Sequence, residues 1–587
     1  MKWKRTTNCG DLTIKKVSQT VILMGWVDRR RDHGGIIFID LRDRYGITQV
    51  QINPSSDAYE EAKNLRSEYV VAFKGIVHAR PEGMVNTKLR TGEIELVASE
   101  IEILNIAETP AIPITGEINA SEDLRLKYRF LDLRRTEMQK NMVIRHKTAQ
   151  IVRNYFSENN FLEIETPFLM KSTPEGARDF LVPSRVWRGK FFALPQSPQT
   201  YKQLLMVSGF DKYFQIVRCF RDEDLRADRQ PEFTQIDVEM SFVDEEDVFS
   251  VMEGLMARVM KEILNIEIKT PIQRIPYNTA MEKYGIDRPD LRFGLEINNI
   301  SDVVKDCDFK VFSDTVRAGN IVAGICAPGC GSFSRKQIDD LTAWTKEQGA
   351  KGLVAIKVKE NDWDSPLSKF FSDNQRREII GQFNAKAGDL LLFVADNKQA
   401  ALPILGDLRV KIAKQQNLID PNQYKLAWVV DFPLFEYSAE EARYVACHHP
   451  FTSPVPGDLE KLLSEPEIVR ARAYDLILNG LEIAGGSIRI SNSETQSKMF
   501  KALGISDEEA QSKFGFLLDA LKYGAPPHGG IAFGFDRLIM ILTGCSSIRD
   551  VITFPKTASA SSLMDGSPSN VSNEQLLELG LKIVDGV

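Results

Sequence analysis

Short runs of apolar residues, separated by turn residues, fill the first part of the chain. Five runs have the alternation or the β-branched content of strands, and they cover residues 21–27, 35–41, 47–52, 69–75 and 93–97. One helical stretch, at residues 57–67, interrupts them. Five strands packed into so short a segment predict a small β-barrel of the OB type over residues 1–106.

The pattern changes after the barrel. Apolar residues recur at helical spacing from residue 141, and the chain then turns into a strand-like run that ends at Pro167. The whole chain is therefore predicted to be a multidomain α+β protein. The predicted parts after the barrel are a hinge (107–140), a first half-domain (141–286), an inserted α+β domain (287–423), a second half-domain (424–560) and a C-terminal extension (561–587).

The most informative segment is a pair of strand-like runs, residues 213–221 and 231–242, on either side of a charged loop. The period of two places apolar and polar residues of the second run on opposite faces. The apolar face would carry Ile236, Val238, Met240 and Phe242, and the polar face Phe233, Gln235, Asp237 and Glu239. A ring, an amide and two carboxylates suit the lining of a binding site. The alternative is a solvated sheet face.

A second candidate site surrounds Asn479–Gly480, which lies between apolar runs and predicts a tight hairpin. A two-residue turn would place residue 477 opposite 482 and Asp475 opposite 484, so that Asp475 and Glu482 share one side within reach of a divalent ion. A bulge at Gly485–Gly486 would bring Arg489 to the same face. The alternative is that both acids are simply solvated.

The third segment is an apolar strand, residues 529–533, that passes through Gly534 into a helix with Arg537 in its first turn. Glycine permits close backbone approach, and an arginine at a helix N-terminus suits a polyphosphate. Taken alone, this pattern does not identify a reaction.

Composition and charge narrow the class of protein without naming it. The net charge of −7 argues against a chain covered with basic residues, although a local basic surface can still bind nucleic acid. The 7 cysteines are scattered, and Cys326 and Cys330 lack the second pair of ligands that a zinc site needs. No signal-peptide or membrane-length apolar run is present, so a cytoplasmic protein is expected.

Together the three segments resemble the signature motifs of class II aminoacyl-tRNA synthetases. The helix and strand ending at Pro167 resemble motif 1, residues 220–223 motif 2, and residues 534–537 motif 3. Longer strings resemble bacterial aspartyl-tRNA synthetases, namely residues 172–179, 194–202, 226–237 and 448–453. The insertion matches the GAD domain of that family in position. The resemblance implies an OB-fold barrel and a class II antiparallel sheet flanked by helices.

The resemblance implies that ATP activates L-aspartate, with Mg²⁺, before transfer to tRNA. Arg221 would contact the α-phosphate, Phe233 would stack on adenine, and Arg537 would cover the other face of adenine and hold the γ-phosphate. Catalytic roles are implied for Arg221, Glu223 and Arg537. The further implied ATP contacts are Asp222, Glu223, Gln230, Glu482, Gly534, Phe535 and Asp536. Asp475 and Glu482 would hold the magnesium ion.

An aspartate pocket is implied in the same way. Lys202 and Arg489 would pair with the side-chain carboxylate of the substrate, and Glu175 would belong to a lid. The residues that would receive the ammonium are Ser197, Gln199 and Asp237. Arg221, His448 and His449 would complete the pocket, although both histidines could instead be satisfied structural residues.

In the barrel, Phe38 resembles the stacking platform for an anticodon base, while a core phenylalanine is the alternative. The anticodon readers would be Arg31, Gln49 and Glu95. His33 and Gly83 resemble the branch that charges both tRNA(Asp) and tRNA(Asn), and the alternative is an enzyme specific for tRNA(Asp). The implied partners are a second copy of the chain and, indirectly, a tRNA-dependent amidotransferase.

Two rival classes are weighed against this prediction. An asparaginyl- or lysyl-tRNA synthetase shares the barrel and the class II plan, but the insertion and the pairing of Lys202 with Arg489 favour aspartate. A catalytically dead paralogue would serve as a binding module, but all three motifs retain their chemical residues.

Overall fold

The computed structural model describes residues 1–173, 177–223, 229–360 and 362–584. These residues form two compact units. The first contains Met1–Lys147, residues 229–231 and Ile539–Gln575, and the second contains the other described residues. Within this described part of the chain, no helix is long and apolar enough to cross a membrane.

The first unit contains a closed barrel. Its elements are β1 (Thr20–His33), β2 (Ile36–Asp43), β3 (Gly46–Ile52), α1 (Tyr59–Ala62), β4 (Val70–Ala79) and β5 (Ile94–Asn105). The strand order is β1-β2-β3-β5-β4, so the predicted five-stranded barrel is confirmed. The predicted helix at residues 57–67 is too long, because the amides of Asn64 and Leu65 bond three residues back and end the α-helical ladder.

Helices and short strands follow up to the start of the insertion. They are α2 (Glu122–Lys127), α3 (Arg129–Asp132), α4 (Thr136–Glu158), β6 (Leu162–Glu163), β7 (Leu181–Pro183), β8 (Phe191–Ala193), α5 (Gln199–Val207), β9 (Lys212–Phe220), β10 (Glu232–Ser241), α6 (Glu245–Leu264), β11 (Arg274–Pro276) and α7 (Tyr277–Tyr284). Two predictions are corrected. The strand before Pro167 is only β6, and Phe242 lies beyond β10, because its left-handed backbone turns the exposed ring out of the sheet.

The insertion is an α+β fold around a five-stranded sheet of order β12-β13-β16-β14-β15. Its elements are β12 (Asn298–Asn299), α8 (Ser301–Val304), α9 (Lys310–Arg317), β13 (Ile321–Ala327), α10 (Arg335–Glu347), β14 (Val354–Lys359), β15 (Asp362–Asp364), α11 (Asp373–Gln382), β16 (Leu390–Asp396) and α12 (Lys398–Gln415). Along β16, Leu390 and Leu392 pack in one hydrophobic cluster, while Leu391 and Phe393 pack in another. Both faces of this sheet are therefore covered, which explains its continuous apolar run.

The remaining elements follow the insertion, and four of their strands belong to the second unit's main sheet. They are β17 (Leu426–Val430), β18 (Phe435–Ser438), β19 (Arg443–Ala446), β20 (Ala473–Leu478), β21 (Leu481–Ile488), α13 (Ser493–Ala502), α14 (Asp507–Leu521), β22 (His528–Gly534), α15 (Phe535–Thr543) and α16 (Asn573–Leu579). The eight-stranded order is β11-β17-β20-β21-β22-β10-β9-β6. β11 and β17 pair in parallel although the insertion separates them in sequence. The polar residues of β10 thus lie near the middle of this sheet.

Candidate active site

Four charged side chains form a fully buried cluster on the central sheet, and we call it the buried tetrad. Asp237 and Glu239 come from β10, Lys202 from α5, and Arg489 follows β21. The Lys202 Nζ lies 2.6 Å from Asp237 Oδ1 and 3.3 Å from Glu239 Oε2. Arg489 donates from Nε and Nη2 to the two oxygens of Glu239, at 3.0 and 3.2 Å. The polar face of β10 is therefore not a solvated surface.

Glu239 was not among the predicted substrate contacts, although the alternation of β10 had placed it on the polar face. The neighbouring strand explains how it fits. Glu239 is paired with Gly530 of β22, and a Cβ added to Gly530 would lie only 1.9 Å from Glu239 Oε2. Glycine in this strand therefore provides the space that the carboxylate occupies.

The two carboxylates of the tetrad differ electrostatically. Burial raises the pKa of Asp237 above its ordinary value, and the charge of Lys202 offsets only part of this effect. Burial acts on Glu239 as well, but Arg489 and Lys202 outweigh it and lower the pKa of Glu239. By ordinary hydrogen-bond geometry, Asp237 Oδ2 has no partner among the described residues, although it is buried. An ammonium group of a ligand would satisfy this oxygen.

The adjacent histidines have different surroundings. Burial, followed by the charges of Arg489 and Lys202, lowers the pKa of His449 to about 3, so its ring is neutral near neutral pH. Its Nδ1 accepts the amide of Phe451 at 3.3 Å, which assigns the proton to Nε2. That buried Nε2 has no partner within the described chain, so it is a donor suited to a carboxylate. His449 therefore points to a ligand and not to a satisfied core position.

His448 belongs to a different group. Its Nε2 lies 3.6 Å from Asp475 Oδ1. Burial alone would lower the pKa of His448, but the hydrogen bond and charge of Asp475 outweigh burial and raise it. His448 therefore lies at the predicted metal ligands.

Lys202 and Arg489 were predicted to pair with a substrate carboxylate, and the structure adds internal partners to both. Besides its two bonds to Glu239, Arg489 donates from Nη1 to Ser487 Oγ at 2.7 Å. A guanidinium has five N–H groups and an ammonium three, so each cation keeps donors for a ligand. The tetrad can bind a carboxylate without breaking its own ion pairs.

The other predicted aspartate contacts lie along α5 and just before it. Ser197 Oγ accepts the amide of Gln199 at 3.3 Å, and the Gln199 side chain donates to Gln203 at 3.2 Å. Gln203 in turn lies 3.2 Å from the buried ring nitrogen of His528. Gln203 and His528 were not predicted, because no local pattern marks them. Glu175, the predicted lid residue, lies outside the described residues.

The predicted adenine contacts lie at the end of the sheet. The guanidinium carbon of Arg221 is 5.2 Å from the centre of the Phe233 ring. At the start of α15, Asp536 Oδ2 accepts the backbone N–H of Thr234 at 2.7 Å, which ties the helix N-terminus to β10. Arg537 donates from Nη1 to the carbonyl oxygen of Glu482. These contacts join the start of α15 to β10, which carries Asp237 and Glu239, and to β21.

The remaining predicted ATP contacts are placed as follows. Gly534 pairs with Gln235, and Phe535 is the buried first residue of α15. Asp222 is exposed and half-buried Glu223 follows it, at the end of the described part of the motif 2 loop. Gln230 belongs to the first unit, where its side-chain oxygen accepts Lys556 N at 2.7 Å and its nitrogen donates to Lys556 O at 3.1 Å. The side-chain amide of Gln230 is thus bonded to the backbone of Lys556.

The hairpin brings Asp475 and Glu482 together, and its predicted register is confirmed for Ile477 opposite Glu482 but wrong for Asp475. The extra residue is Ile483 and not one of the two glycines, so Asp475 pairs with Gly485 instead of residue 484. The physical reason lies at Gly485, where an added Cβ would be 2.8 Å from Asp475 Oδ1 and 3.4 Å from Glu482 Oε1. A side chain at position 485 would press on the Asp475 carboxylate, and glycine avoids this contact.

The donor set of this hairpin suits magnesium. The charge of Asp475 raises the pKa of Glu482, and burial raises it further, so the two acids repel one another until a cation is added. Two carboxylates with phosphate oxygens and water are ligands that Mg²⁺ accepts. The two acids are therefore electrostatically coupled to one another.

The barrel carries a polar network. Arg31 Nη2 lies 2.6 Å from Asp40 Oδ1 and 3.3 Å from Gln49 Oε1, and Gln49 Nε2 donates to Glu95 at 2.8 Å. The three predicted anticodon readers are therefore connected, and Asp40 was missed. Phe38 lies between the fully buried residues Ile37 and Ile39, so alternation directs its half-buried ring away from the barrel core.

Comparison with known families assigns this fold and site to a class of protein. The family model described as "tRNA synthetases class II (D, K and N)" matches residues 121–558, and the model "OB-fold nucleic acid binding domain" matches residues 21–104. The chain belongs to the class II tRNA synthetases of this D, K and N family. The predicted fold class is thereby confirmed.

Curated relatives lie within one group of that family. A protein of Geotalea uraniireducens (strain Rf4), named aspartate–tRNA(Asp/Asn) ligase, is 56% identical over 584 residues, which is 99% of this chain and 98% of the relative. A protein of Thermoanaerobacter sp. (strain X514) with the same name is 55% identical over 582 residues, again 99% of this chain and 98% of the relative.

Solved structures share the fold at lower identity. Asparaginyl-tRNA synthetase from Pyrococcus horikoshii, complexed with asparaginyl-adenylate, has a TM-score of 0.58 at 19% identity and covers 94% of this chain and 98% of its own. Aspartyl tRNA synthetase from Entamoeba histolytica has a TM-score of 0.57 at 19% identity, with 94% and 91% covered. At this identity the likeness establishes the architecture alone.

Proposed function

We propose that this chain activates L-aspartate with ATP and transfers it to tRNA(Asp) and tRNA(Asn) in the cytoplasm. The observation that carries the choice of aspartate is the buried tetrad. It combines two cations that keep free donors, Lys202 and Arg489, with a buried carboxylate oxygen of Asp237 that has no hydrogen-bond partner of ordinary geometry among the described residues. An α-amino acid with a side-chain carboxylate would supply an acceptor for the two cations and an ammonium donor for Asp237. A neutral side-chain amide offers the cations a weaker acceptor.

The chemistry needs no covalent enzyme intermediate. The α-carboxylate oxygen of aspartate attacks the α-phosphorus of ATP, the bond to the β-phosphate breaks, and aspartyl-adenylate and pyrophosphate form. The terminal ribose hydroxyl of tRNA then attacks the activated carbonyl and AMP leaves. Arg221 would stabilise charge on the α-phosphate, and Arg537 would hold the γ-phosphate. Positioning and preorganised charge accelerate both steps.

Side chains of the pocket orient the amino acid for this attack. Asp237 Oδ2 receives the ammonium, together with Ser197 and Gln199, and the Nε2–H of His449 donates to a carboxylate of the substrate. Asp475 and Glu482 would hold Mg²⁺, which supplies positive charge against the phosphates when it is bound. Arg537 lies beside this pair through its bond to the Glu482 carbonyl.

Relaxed tRNA specificity is proposed from two barrel positions. His33 is the exposed last residue of β1, and the imidazole of a histidine can donate or accept a hydrogen bond to either pyrimidine. Gly83 has a φ of 81°, and no atom lies within 4 Å of the position that a Cβ would take. Both positions are therefore open to solvent, as anticodon contacts would be without tRNA. Aspartyl-tRNA(Asn) would then need a tRNA-dependent amidotransferase.

The test of specificity is to charge purified tRNA(Asp) and tRNA(Asn) transcripts side by side with aspartate. We expect kcat/KM values within about tenfold of each other, because a base contact that favours one tRNA, worth roughly 1–3 kcal/mol, would be absent. His33→Leu combined with Gly83→Lys should create a preference for tRNA(Asp). Gly83→Ala is the control for backbone strain, since a side chain in this left-handed conformation costs about 1–2 kcal/mol by itself. A wild-type preference for tRNA(Asp) beyond about a hundredfold excludes relaxed specificity.

A homodimer is also proposed, because motif 1 forms the subunit interface in the proteins that this chain resembles. Apolar side chains at and after β6, namely Leu162, Phe168 and Leu169, are about half exposed in the single chain. A partner subunit would cover such a patch. Light scattering at micromolar concentration should therefore give twice the 66.2 kDa mass of the chain. A fully active protein with the mass of one chain contradicts this proposal.

A further inference from the structure

The turn Asn479–Gly480 joins the two strands that carry the metal-site carboxylates, and the end of the insertion is bonded to it. Asn479 Oδ1 accepts the amide of Lys425 at 2.8 Å, and Asn479 Nδ2 donates to the carbonyl of Gln423 at 2.9 Å. The backbone amide of Asn479 also donates to Lys425 O at 3.1 Å. One side chain thus fixes the turn to the segment that leaves the insertion.

The segment that enters the insertion contacts the other half of the same turn. Asp290 is buried against Gly480, with its Cβ 3.0 Å from the position that a Gly480 side chain would occupy. Asp290 is itself held by Arg292, whose Nη2 lies 2.7 Å from Asp290 Oδ2. The turn is therefore enclosed between both connections of the inserted domain.

A buried arginine of the insertion fixes this entering segment. Arg409 of α12 donates to the carbonyl oxygens of Asp290 at 3.2 Å, Gly294 at 3.0 Å and Leu295 at 3.3 Å. Its guanidinium carbon lies 4.5 Å from the centre of the Phe293 ring. A planar guanidinium that bonds three carbonyls of one short segment sets the path of that segment.

We propose that Arg409 and Asn479 are positioning residues through which the inserted domain sets the metal affinity of Asp475 and Glu482. Asp475 of β20 pairs with Gly485 of β21, and Glu482 lies earlier on β21 with its Oε1 also close to Gly485, so the separation of the two carboxylates depends on the register that the turn fixes. A turn held from both sides keeps the two acids close before a cation arrives, and this lowers the cost of ordering them on binding. The inference rests on the proposed function, in which this pair holds Mg²⁺ with ATP.

The test uses Mn²⁺ as a spectroscopic substitute for Mg²⁺, with the full-length protein and a non-hydrolysable ATP analogue. Electron paramagnetic resonance of free Mn²⁺ gives the dissociation constant directly. Asn479→Gly keeps the left-handed backbone, where φ is 54°, but removes both side-chain hydrogen bonds. We expect about three- to tenfold weaker Mn²⁺ binding, with exchange activity at saturating metal within about twofold of wild type.

The matched control is Asn265→Gly, which makes the same change at a left-handed asparagine at the end of α6. It should leave Mn²⁺ binding unchanged. Arg409→Lys should weaken Mn²⁺ binding in the same direction as Asn479→Gly. The two residues act on one turn, so their effects should not add. The double variant should bind Mn²⁺ with nearly the same affinity as whichever single variant binds Mn²⁺ more weakly.

Thermal unfolding establishes whether each variant is folded. If Arg409→Lys does not fold, Asn479→Gly alone still decides the test. Unchanged Mn²⁺ affinity in folded Asn479→Gly overturns the inference, as do fully additive effects in the double variant. A loss of exchange at saturating metal without a shift in Mn²⁺ affinity also overturns it. Failure of the proposed function is seen separately, as absence of aspartate-dependent exchange in the wild type.

Discussion

Replacing Arg489 with alanine should lower kcat/KM for aspartate in ATP–pyrophosphate exchange by about a thousandfold, and KM for ATP should change far less. Arg489 would pair with the substrate carboxylate, and truncation of one partner of a buried, hydrogen-bonded charge pair in a binding site costs roughly 2–5 kcal/mol, where each 1.4 kcal/mol corresponds to a factor of ten. Arg489 is fully enclosed and bonded to Glu239 through two nitrogens, so water cannot replace it. Lys202→Ala should act in the same direction.

The control for this prediction is Arg489→Lys, which keeps the charge but not the planar fork. A recovery of aspartate activity by lysine would show that charge matters more than the paired hydrogen bonds. The account is wrong if Arg489→Ala keeps aspartate activity within about tenfold of wild type. It is also wrong if KM for ATP rises as much as KM for aspartate.

Glu239→Gln and Asp237→Asn make the same chemical change in adjacent buried carboxylates, and we expect opposite dominant effects. Glu239→Gln leaves Arg489 without its carboxylate partner, so it should lower the free energy of unfolding by about 3–5 kcal/mol. Asp237→Asn leaves Lys202 within 3.3 Å of Glu239, so it should destabilise the protein less. It should instead reduce aspartate activation by about thirty- to a hundredfold, by removing the acceptor for the ammonium, at roughly 2–3 kcal/mol for a charged hydrogen bond.

The dependence of stability on pH gives a second readout for this pair. The pKa of Glu239 is lowered in the folded protein, so its contribution is present above the ordinary carboxyl pKa and is lost as pH falls through the lowered value. Glu239→Gln should lack this part of the acid-induced loss of stability. Chemical denaturation at neutral and acidic pH measures both variants. Equal unfolding free energies and equal aspartate kinetics in the two variants contradict the division of roles.

Local patterns were sufficient for much of the fold. The five barrel strands follow from alternation and turn residues, and Asn479–Gly480 marked the hairpin because both residues tolerate a left-handed backbone. The position of the bulge could not be predicted in the same way. It depends on which residue must lack a Cβ beside Asp475 and Glu482, and that is a contact in three dimensions.

The site was predicted where resemblance or alternation marked a residue, and missed where only long-range packing does so. Glu239 was visible on the polar face of β10, but its bond to Arg489 joins residues 250 positions apart in sequence. The partner of Gln230, Lys556, is 326 positions away. His528 begins the glycine-rich strand β22 and has no local signal of its own. Such partners follow from sheet order, which no single segment contains.

The central claim is that the buried tetrad selects aspartate for activation by ATP. The most direct measurement is ATP–pyrophosphate exchange by the wild-type chain, without tRNA, with aspartate, asparagine or lysine as the amino acid. We predict exchange with aspartate, and a kcat/KM for asparagine lower by at least about a hundredfold, because the amide cannot replace a charged acceptor for Lys202 and Arg489. Equal exchange with asparagine, or exchange with lysine in place of aspartate, would contradict the account.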